Sequence, residues 1–280
     1  MATCKALAIT TSYWKPSDNY QTIILEALAG KIQNGDFVVV SEKALSIALG
    51  KIIDETNIQP GSVAKFLAGF WMQKVWGYPL GVLCGFGQRL LKRLRQYPAK
   101  AGSRHKQVAL QYAGILQALM FGSEGGIDGS NLAYSFVSLP LSNPEEIARQ
   151  IQGQISQELG KRICIIIADT DKTYKLRNFY FTPRPNPLPG IKSFGGIAAY
   201  AAGRLLKLKK SSTPLAVAGS SLSASQALSI TNIADRARGA GSGATVWDMA
   251  ARFHVSVEKV TWDMLKKINH KPIVIVRKTN

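Results

Sequence analysis

Two segments of the chain share one order of apolar and polar residues. In "NYQTIILEALAGKIQNGDFVVVSEK", 19–43, spaced apolar positions predict an amphipathic helix that stops at Asn34-Gly35, followed by a buried strand over 37–40. In "SNPEEIARQIQGQISQELGKRICIIIADTDK", 142–172, the same order is plainer. Ser142 or Asn143 can cap, Pro144 suits the first helical position, and Glu145 and Glu146 complement the helix dipole. Ile147, Ile151, Ile155 and Leu159 recur at four-residue steps along one face. The β-branched run 163–167 then predicts a buried strand ending at Asp169. A third such pair, "SVEKVTWDMLKKINHKPIVIVRK", ends the sequence. Helices and strands recur without strict alternation, which predicts an α+β fold over a doubly wound sheet. The length of 280 residues suits one domain, 1–280, with room for two lobes.

The stretch 56–123 breaks this pattern and contains no acid. Its first part, "FLAGFWMQKVWGYPLGVLCGFG", is nearly long enough to cross a bilayer, but Lys74 and the Gly77-Tyr78-Pro79 break argue against a spanning helix. A basic run, "QRLLKRLRQYPAKAGSRHK", follows it. The pattern predicts an insertion of core helices with a solvated basic face. A peripheral membrane contact within 66–95, through Trp71, Trp76 and Tyr78, and a dimer interface are the other readings.

Composition sharpens this. Thirty-five lysines and arginines against seventeen acids give a formal charge of +18, which favours anionic partners: nucleic acid, phosphorylated small molecules or a membrane surface. No RNA- or DNA-reading motif is present, which argues against nucleic acid. Cys4, Cys84 and Cys164 are scattered and odd in number, so neither a disulfide framework nor a zinc site is expected, and a cytoplasmic setting is.

Because acids are scarce, elimination is informative. Glu145 and Glu146 belong to a helix start, and Glu158 has Lys161 and Arg162 beside it. What remains between Glu55 and Asp235 falls in two loops, "SEGGID" with Glu124 and Asp128, and "ADTD" with Asp169 and Asp171. A hard cation such as magnesium or manganese takes one or two carboxylates together with phosphates and water. Asp169 and Thr170 would offer a carboxylate and a hydroxyl at a strand's end, and Asp128 on a glycine loop could reach the same ion. The plainer alternative makes Asp128 and Asp171 turn residues with local hydrogen bonds. A second glycine run, "RARGAGSGAT", places Gly239, Gly241 and Gly243 after a helical pattern, as an anion nest or simply a helix stop. His254 and His270 lack a nucleophile's setting, and His105 in "SRHKQ" adds to a basic patch.

"GGIDGSN" followed by "SLPLSNPEEIARQI" and then by "ICIIIADT" resembles the coenzyme F(420)-0:L-glutamate ligase family, the gamma-glutamyl ligases. The resemblance extends upstream to "NGDFVVVSEKALSIALGK" and downstream to "RGAGSGAT". It implies a GTP-using, Mg2+- or Mn2+-dependent amide-bond ligase that is a homodimer and adds glutamate to a phosphate-activated carboxylate. Asp128, Asp169 and Thr170 would then hold metal, and Ser46, Asn131, Gly239, Gly241 and Gly243 would meet the nucleotide. The segment departs from the family where Ile47 replaces a nucleotide-contacting lysine, and again at Leu49 and Ala240. Lys43, Lys51, Lys172 and His105 are the cations available for phosphate or substrate. The competing reading is a non-catalytic descendant that binds nucleotide or membrane.

Overall fold

The computed structural model describes residues 3–122, 124–239, 241 and 245–279. A mixed seven-stranded sheet forms its centre. The chain enters through β1 (Thr3–Thr11), α1 (Tyr20–Leu28), β2 (Phe37–Ser41), α2 (Glu42–Ala48) and β3 (Ile52–Asp54). A helical lobe follows: α3 (Ser62–Phe66) continuing as a π-helix over Leu67–Trp76, then α4 (Pro79–Leu83), α5 (Gln88–Arg95), α6 (Ala99–Tyr112) and α7 (Ile115–Ala118). The chain returns through β4 (Phe136–Ser138), α8 (Pro144–Leu159), β5 (Cys164–Leu176), β6 (Phe179–Thr182), β7 (Lys192–Ser193) and α9 (Ile197–Leu205). It ends with β8 (Lys209–Ala218), α10 (Ala224–Arg238), α11 (Val246–Phe253), α12 (Trp262–Lys266) and β9 (His270–Thr279).

The strand order is β1-β9-β2-β5-β6-β7, with β8 also pairing β5. Strands β2 and β5 run parallel, Phe37 opposite Cys164, and the remaining long pairings are antiparallel. This is the α+β arrangement that the pattern predicts. Both central strands read as unbroken apolar runs because both of their faces are covered. On one face Val38, Val40, Ile165 and Ile167 pack against Ile24 and Leu28 of α1 and Ile151 and Ile155 of α8. On the other, Phe37, Val39 and Ile166 meet Ile230 and Ala234 of α10.

Three local expectations change. Helix α1 ends at Leu28, before Asn34-Gly35, because Gly30 has φ +71° and turns the chain early. Asn143 occupies the N-cap of α8 without a side-chain capping bond, while Pro144 takes the first turn as predicted. Most consequentially, β5 does not end at Asp169. It runs on to Leu176, and its register against β8 slips between Asp169, opposite Thr213, and Lys172, opposite Ser212. The carboxylate loop of the sequence is a bulge inside a long strand, a device that re-aims side chains next to functional sites.

The stretch 56–123 forms a small helical core of its own. Met72, Trp76, Leu91 and Leu94 are buried with Tyr200 of α9, and Trp247 of α11 packs against them. The indole N–H groups of Trp71 and Trp76 both donate to the carbonyl of Leu119, at 2.8 and 2.7 Å. These indoles are turned inward, so a lipid contact through Trp71 and Trp76 is not what the structure shows. Among the described residues no helix is long and apolar enough to cross a membrane. Replacing fully buried Trp76 by alanine removes the centre of this lobe and is expected to cost about 3–5 kcal/mol in urea unfolding.

Candidate active site

The glycine loop 122–131 is pinned at several points. Asp128 and Ser138 exchange two backbone bonds, Asp128 N–H to Ser138 O at 3.3 Å and Ser138 N–H to Asp128 O at 3.0 Å. The Asp128 carboxylate accepts from the N–H of Ser130 at 2.6 Å and from Lys43 Nζ, which also donates to Ser130 Oγ at 2.9 Å. Glycine is required at 125 and 126, where φ is +72° and +92°. A Cβ on Gly126 would also lie 2.7 Å from the guanidinium of Arg184.

That guanidinium is the centre of the arrangement. Buried Arg184 donates Nε to Asp169 Oδ2 at 2.8 Å, Nη1 to the carbonyl of Gly125 at 2.5 Å and Nη2 to Glu42 Oε1 at 2.6 Å. Glu42 Oε1 also accepts from the N–H of Leu141 at 2.9 Å. One side chain thus ties α2, the glycine loop and the bulge of β5 together. Burial pushes the Glu42 carboxyl up to about 7, with Arg184 opposing and Asp169 adding to the rise. Neither Arg184 nor Glu42 is singled out by sequence reasoning. The available signals are the rigid setting "TPRPNP" around Arg184 and the place of Glu42 directly after β2.

Asp128, Asp169 and Thr170 line one cavity of about 280 Å³. Its walls carry six acids, Glu55, Glu124, Asp128, Asp169, Asp171 and Glu258, and the aromatic rings of Tyr97, Phe121, Tyr134, Phe136 and Trp247. Among the described residues no lysine or arginine lines it. The second glycine run approaches the same place. A Cβ on Gly241 would lie 3.0 Å from Asn131 Oδ1, one on Gly129 would lie 3.3 Å from Val246 Cγ1, and Thr245 and Trp247 line the cavity. Tyr13 donates its hydroxyl to the carbonyl of Asn131, and burial, with the charge of Asp128, pushes its phenol up.

The other expected residues fall elsewhere. Ser46 is buried within α2 and its hydroxyl has no hydrogen-bond partner among the described residues. Gly239 closes α10 with φ +74°, while Gly243 and Ala240 lie outside the described residues. Lys172 pairs with Asp235 Oδ2 at 3.0 Å, and Lys51 lines a second cavity behind Gly125 and Arg184. His105 does line the main cavity, but both ring nitrogens are taken, Nδ1 by Glu55 at 2.6 Å and Nε2 by Glu124 at 2.5 Å. Burial opposes its charge, yet Glu124 and Glu55 outweigh it and hold the imidazole well above its usual pKa. Burial likewise works to raise Glu124, and Lys106 and His105 overcome it and lower that carboxyl. His105 is therefore a structural cation clamped between two acids, not a free phosphate ligand. His254 ends α11 in the left-handed conformation, φ 55°.

Hard oxygen groups at this cavity suit magnesium or manganese, which bind through one or two carboxylates and keep water and phosphate for the rest. Among the described residues no three His, Cys, Asp or Glu side chains converge as a complete cage. Asp169 commits one oxygen to Arg184, and Thr170 stands beside it.

Two outcomes follow from this geometry. Arg184→Ala strands Glu42 and Asp169 without their buried cation and is expected to cost about 3–5 kcal/mol in chemical denaturation, with Glu42→Gln restoring part of it. The raised pKa of His105 gives stability that is full below the unfolded histidine pKa of about 6.5 and is lost as pH rises through the folded value. A His105→Gln variant is expected to lack that decline in a pH series of melting temperatures.

A family model described as F420-0:Gamma-glutamyl ligase matches residues 8–229. An uncharacterized protein of Methanocaldococcus jannaschii is 34% identical over 285 residues, 98% of this chain and 96% of its own length. A coenzyme F420:L-glutamate ligase of Archaeoglobus fulgidus is 26% identical over 144 residues, 50% of each chain. The corresponding ligase of Methanosarcina mazei is 25% identical over 157 residues, 55% of this chain and 53% of its own. The chain spans about half the length of these two named ligases, and the glycine run 239–243 lies beyond the stretch that the family model matches. The family match nonetheless takes in the glycine loop, Glu42, the bulge of β5 and Arg184, so the chain belongs to the F420-0:gamma-glutamyl ligase family.

Proposed function

We propose that this protein is a nucleotide- and divalent-metal-dependent acid–amino-acid ligase that joins glutamate, or a similar amine, to a phosphate-activated carboxylate. One observation carries the reading: Asp128 and Asp169, brought from distant parts of the chain, line a single cavity with six acids and, among the described residues, no lysine or arginine. A nucleotide polyphosphate cannot enter such a cavity unless cations come with it, because like charges repel strongly where water is sparse. Glutamate and the coenzyme come from what the related ligases are called, and GTP is the nucleotide that the family resemblance implies.

In this reading Asp128, Asp169 and Thr170 would hold magnesium or manganese, which when bound supplies charge neutralisation to the transferring phosphoryl group. The chain's own residues do the rest. Arg184 fixes the direction of Asp169 through three bonds to separate elements. Gly125 and Gly126 let the loop backbone lie close to the ligand, and Asn131 with Gly241 forms the opposite edge. The aromatic walls exclude water from an acyl phosphate, which hydrolysis would waste. An oxygen of the acceptor carboxylate attacks the terminal phosphorus of the nucleoside triphosphate, and the nucleoside diphosphate leaves with the P–O bonding pair. The amine nitrogen then attacks the acyl carbon, phosphate leaves with the C–O bonding pair, and the amine proton passes to water or phosphate.

A second reading, nucleotide binding without turnover, is favoured by Ile47 in place of the family's lysine and by the pairing of Lys43 with Asp128. Homodimer formation is carried forward from the resemblance as part of the proposal. Asp128→Asn and Asp169→Asn are each expected to lower metal-dependent phosphate release by at least about a hundredfold, since even outer-shell partners are worth 10–100-fold. Circular dichroism checks that both stay folded. Full activity in either variant rejects the ligand assignment; Mn2+-dependent GTP binding without phosphate release selects the second reading.

A further inference from the structure

The cations missing from the cavity are concentrated on another face. The stretches 56–123 and 172–234 together hold eighteen lysines and arginines and no acid. The fold places parts of both side by side. Arg204, at the end of α9, donates Nε to the carbonyl of Cys84 at 2.7 Å, directly after α4, and its guanidinium lies 4.9 Å over the ring of Phe86. Helix α5 closes the other side: a Cβ on Gly81 of α4 would lie 2.7 Å from Leu91, and Arg95 sits 4.4 Å over the ring of Tyr78.

This junction leaves large apolar side chains outside. Val82 is 57% exposed, Leu83 61%, Leu205 47% and Leu206 62%. Lys92 and Arg95 of α5 and Lys207 and Lys209 after α9 are exposed as well, while Arg89 of α5 lies 3.6 Å from Asp248. Exposed apolar groups inside a polar rim mark an interaction surface. The charge selects the partner. A second copy docking symmetrically would bring these cationic rims together, and neither stretch offers an acid to answer them. A nucleic acid would satisfy the cations and leave the leucines in water. A bilayer carrying anionic lipid satisfies both, taking leucines at the headgroup boundary and cations at the phosphates.

We propose that the α4–α9 edge docks on an anionic lipid surface through Val82, Leu83, Leu205 and Leu206, ringed by the cations of α5 and the α9–β8 turn. The contact is peripheral and reversible. It replaces the tryptophan-mediated contact, whose indoles are packed inside the lobe. The ligand cavity is not required for it, so this docking stands or falls separately from the ligase reading.

Flotation with phosphatidylcholine vesicles, with and without phosphatidylglycerol, tests it. The chain is expected to float with the anionic vesicles, to bind neutral ones far more weakly, and to be released as salt rises, because each cation near an anionic surface contributes about fivefold. Leu83→Gln combined with Leu206→Gln is expected to lower binding by about tenfold or more, while Phe66→Gln, at an exposed site elsewhere on the lobe, leaves it unchanged. Absence from the anionic vesicles overturns the proposal. So does undiminished binding by the double variant, the pattern of a purely electrostatic surface that would equally take nucleic acid. A concentration-dependent dimer that the double variant dissolves assigns the edge to a second copy and overturns it too.

Discussion

The fork of Arg184 is the constraint on which the cavity's shape depends. A buried guanidinium is costly unless its donors are matched, and here each nitrogen meets an oxygen from a different part of the chain. Those oxygens belong to α2, the glycine loop and β5, which the sheet alone would bring near one another but not into fixed register. The arrangement also explains the glycines. A Cβ at 126 would occupy the space of the guanidinium, so the loop's lack of side chains is what admits the arginine. Taking either carboxylate away leaves the fork unbalanced, which ties integrity of the cavity to integrity of the fold.

Charge is sorted rather than spread. Six of seventeen acids line one cavity, and among the described residues its walls hold no lysine or arginine, only His105 clamped between Glu55 and Glu124. Where cations do reach these acids they come from behind: Lys106, wholly buried, donates to Glu124 and to the carbonyl of Met120 at 2.6 Å, and Lys43 reaches Asp128 from α2. Each contact offsets part of the desolvation cost of a carboxylate. The same sorting leaves α5 and the α9–β8 turn without acids of their own, Asp248 of α11 pairing with Arg93 and Arg89, and the excess of cations acts at long range on anionic partners. The cavity wall and the outer edge are two consequences of one allocation of a small number of acids.

Much of this was legible in the sequence. The apolar runs at 37–40 and 163–167 mark the two central strands because burial on both faces removes any alternation. Scarcity made Asp128 and Asp169 conspicuous, and both do line the cavity. What sequence could not carry was direction. The pattern stops β5 at Asp169 because the polar run "DTDKT" looks like a loop, and only the pairing with β8 shows a bulge within a continuing strand. For Trp71 and Trp76 a membrane face stayed open beside the core reading, since nothing in one segment reveals that Leu119 and α9 will cover them. The surroundings of Lys51, Lys172 and His105 were hidden for a related reason: a cation's partner is chosen by tertiary neighbours, and acids at 55, 124 and 235 hold two of these three.

The two carboxylates at the heart of the cavity are held by unlike cations, and the difference bears on how a ligand would enter. Asp169 faces a planar fork fixed at two further points, so Arg184 cannot leave it without breaking bonds to Gly125 and Glu42. Asp128 faces an ammonium on a flexible stem, about a fifth exposed, that keeps Ser130 Oγ and the Ser130 carbonyl at 2.9 and 3.2 Å as alternative partners. Lys43 can therefore give up Asp128 at modest cost, exchanging one acceptor while retaining two. In the proposed reaction an arriving metal–phosphate pair offers both sides of that exchange, a cation for Asp128 and an anion for Lys43. In that proposed reaction the site is rigid where alignment is needed and exchangeable where charge has to be rearranged.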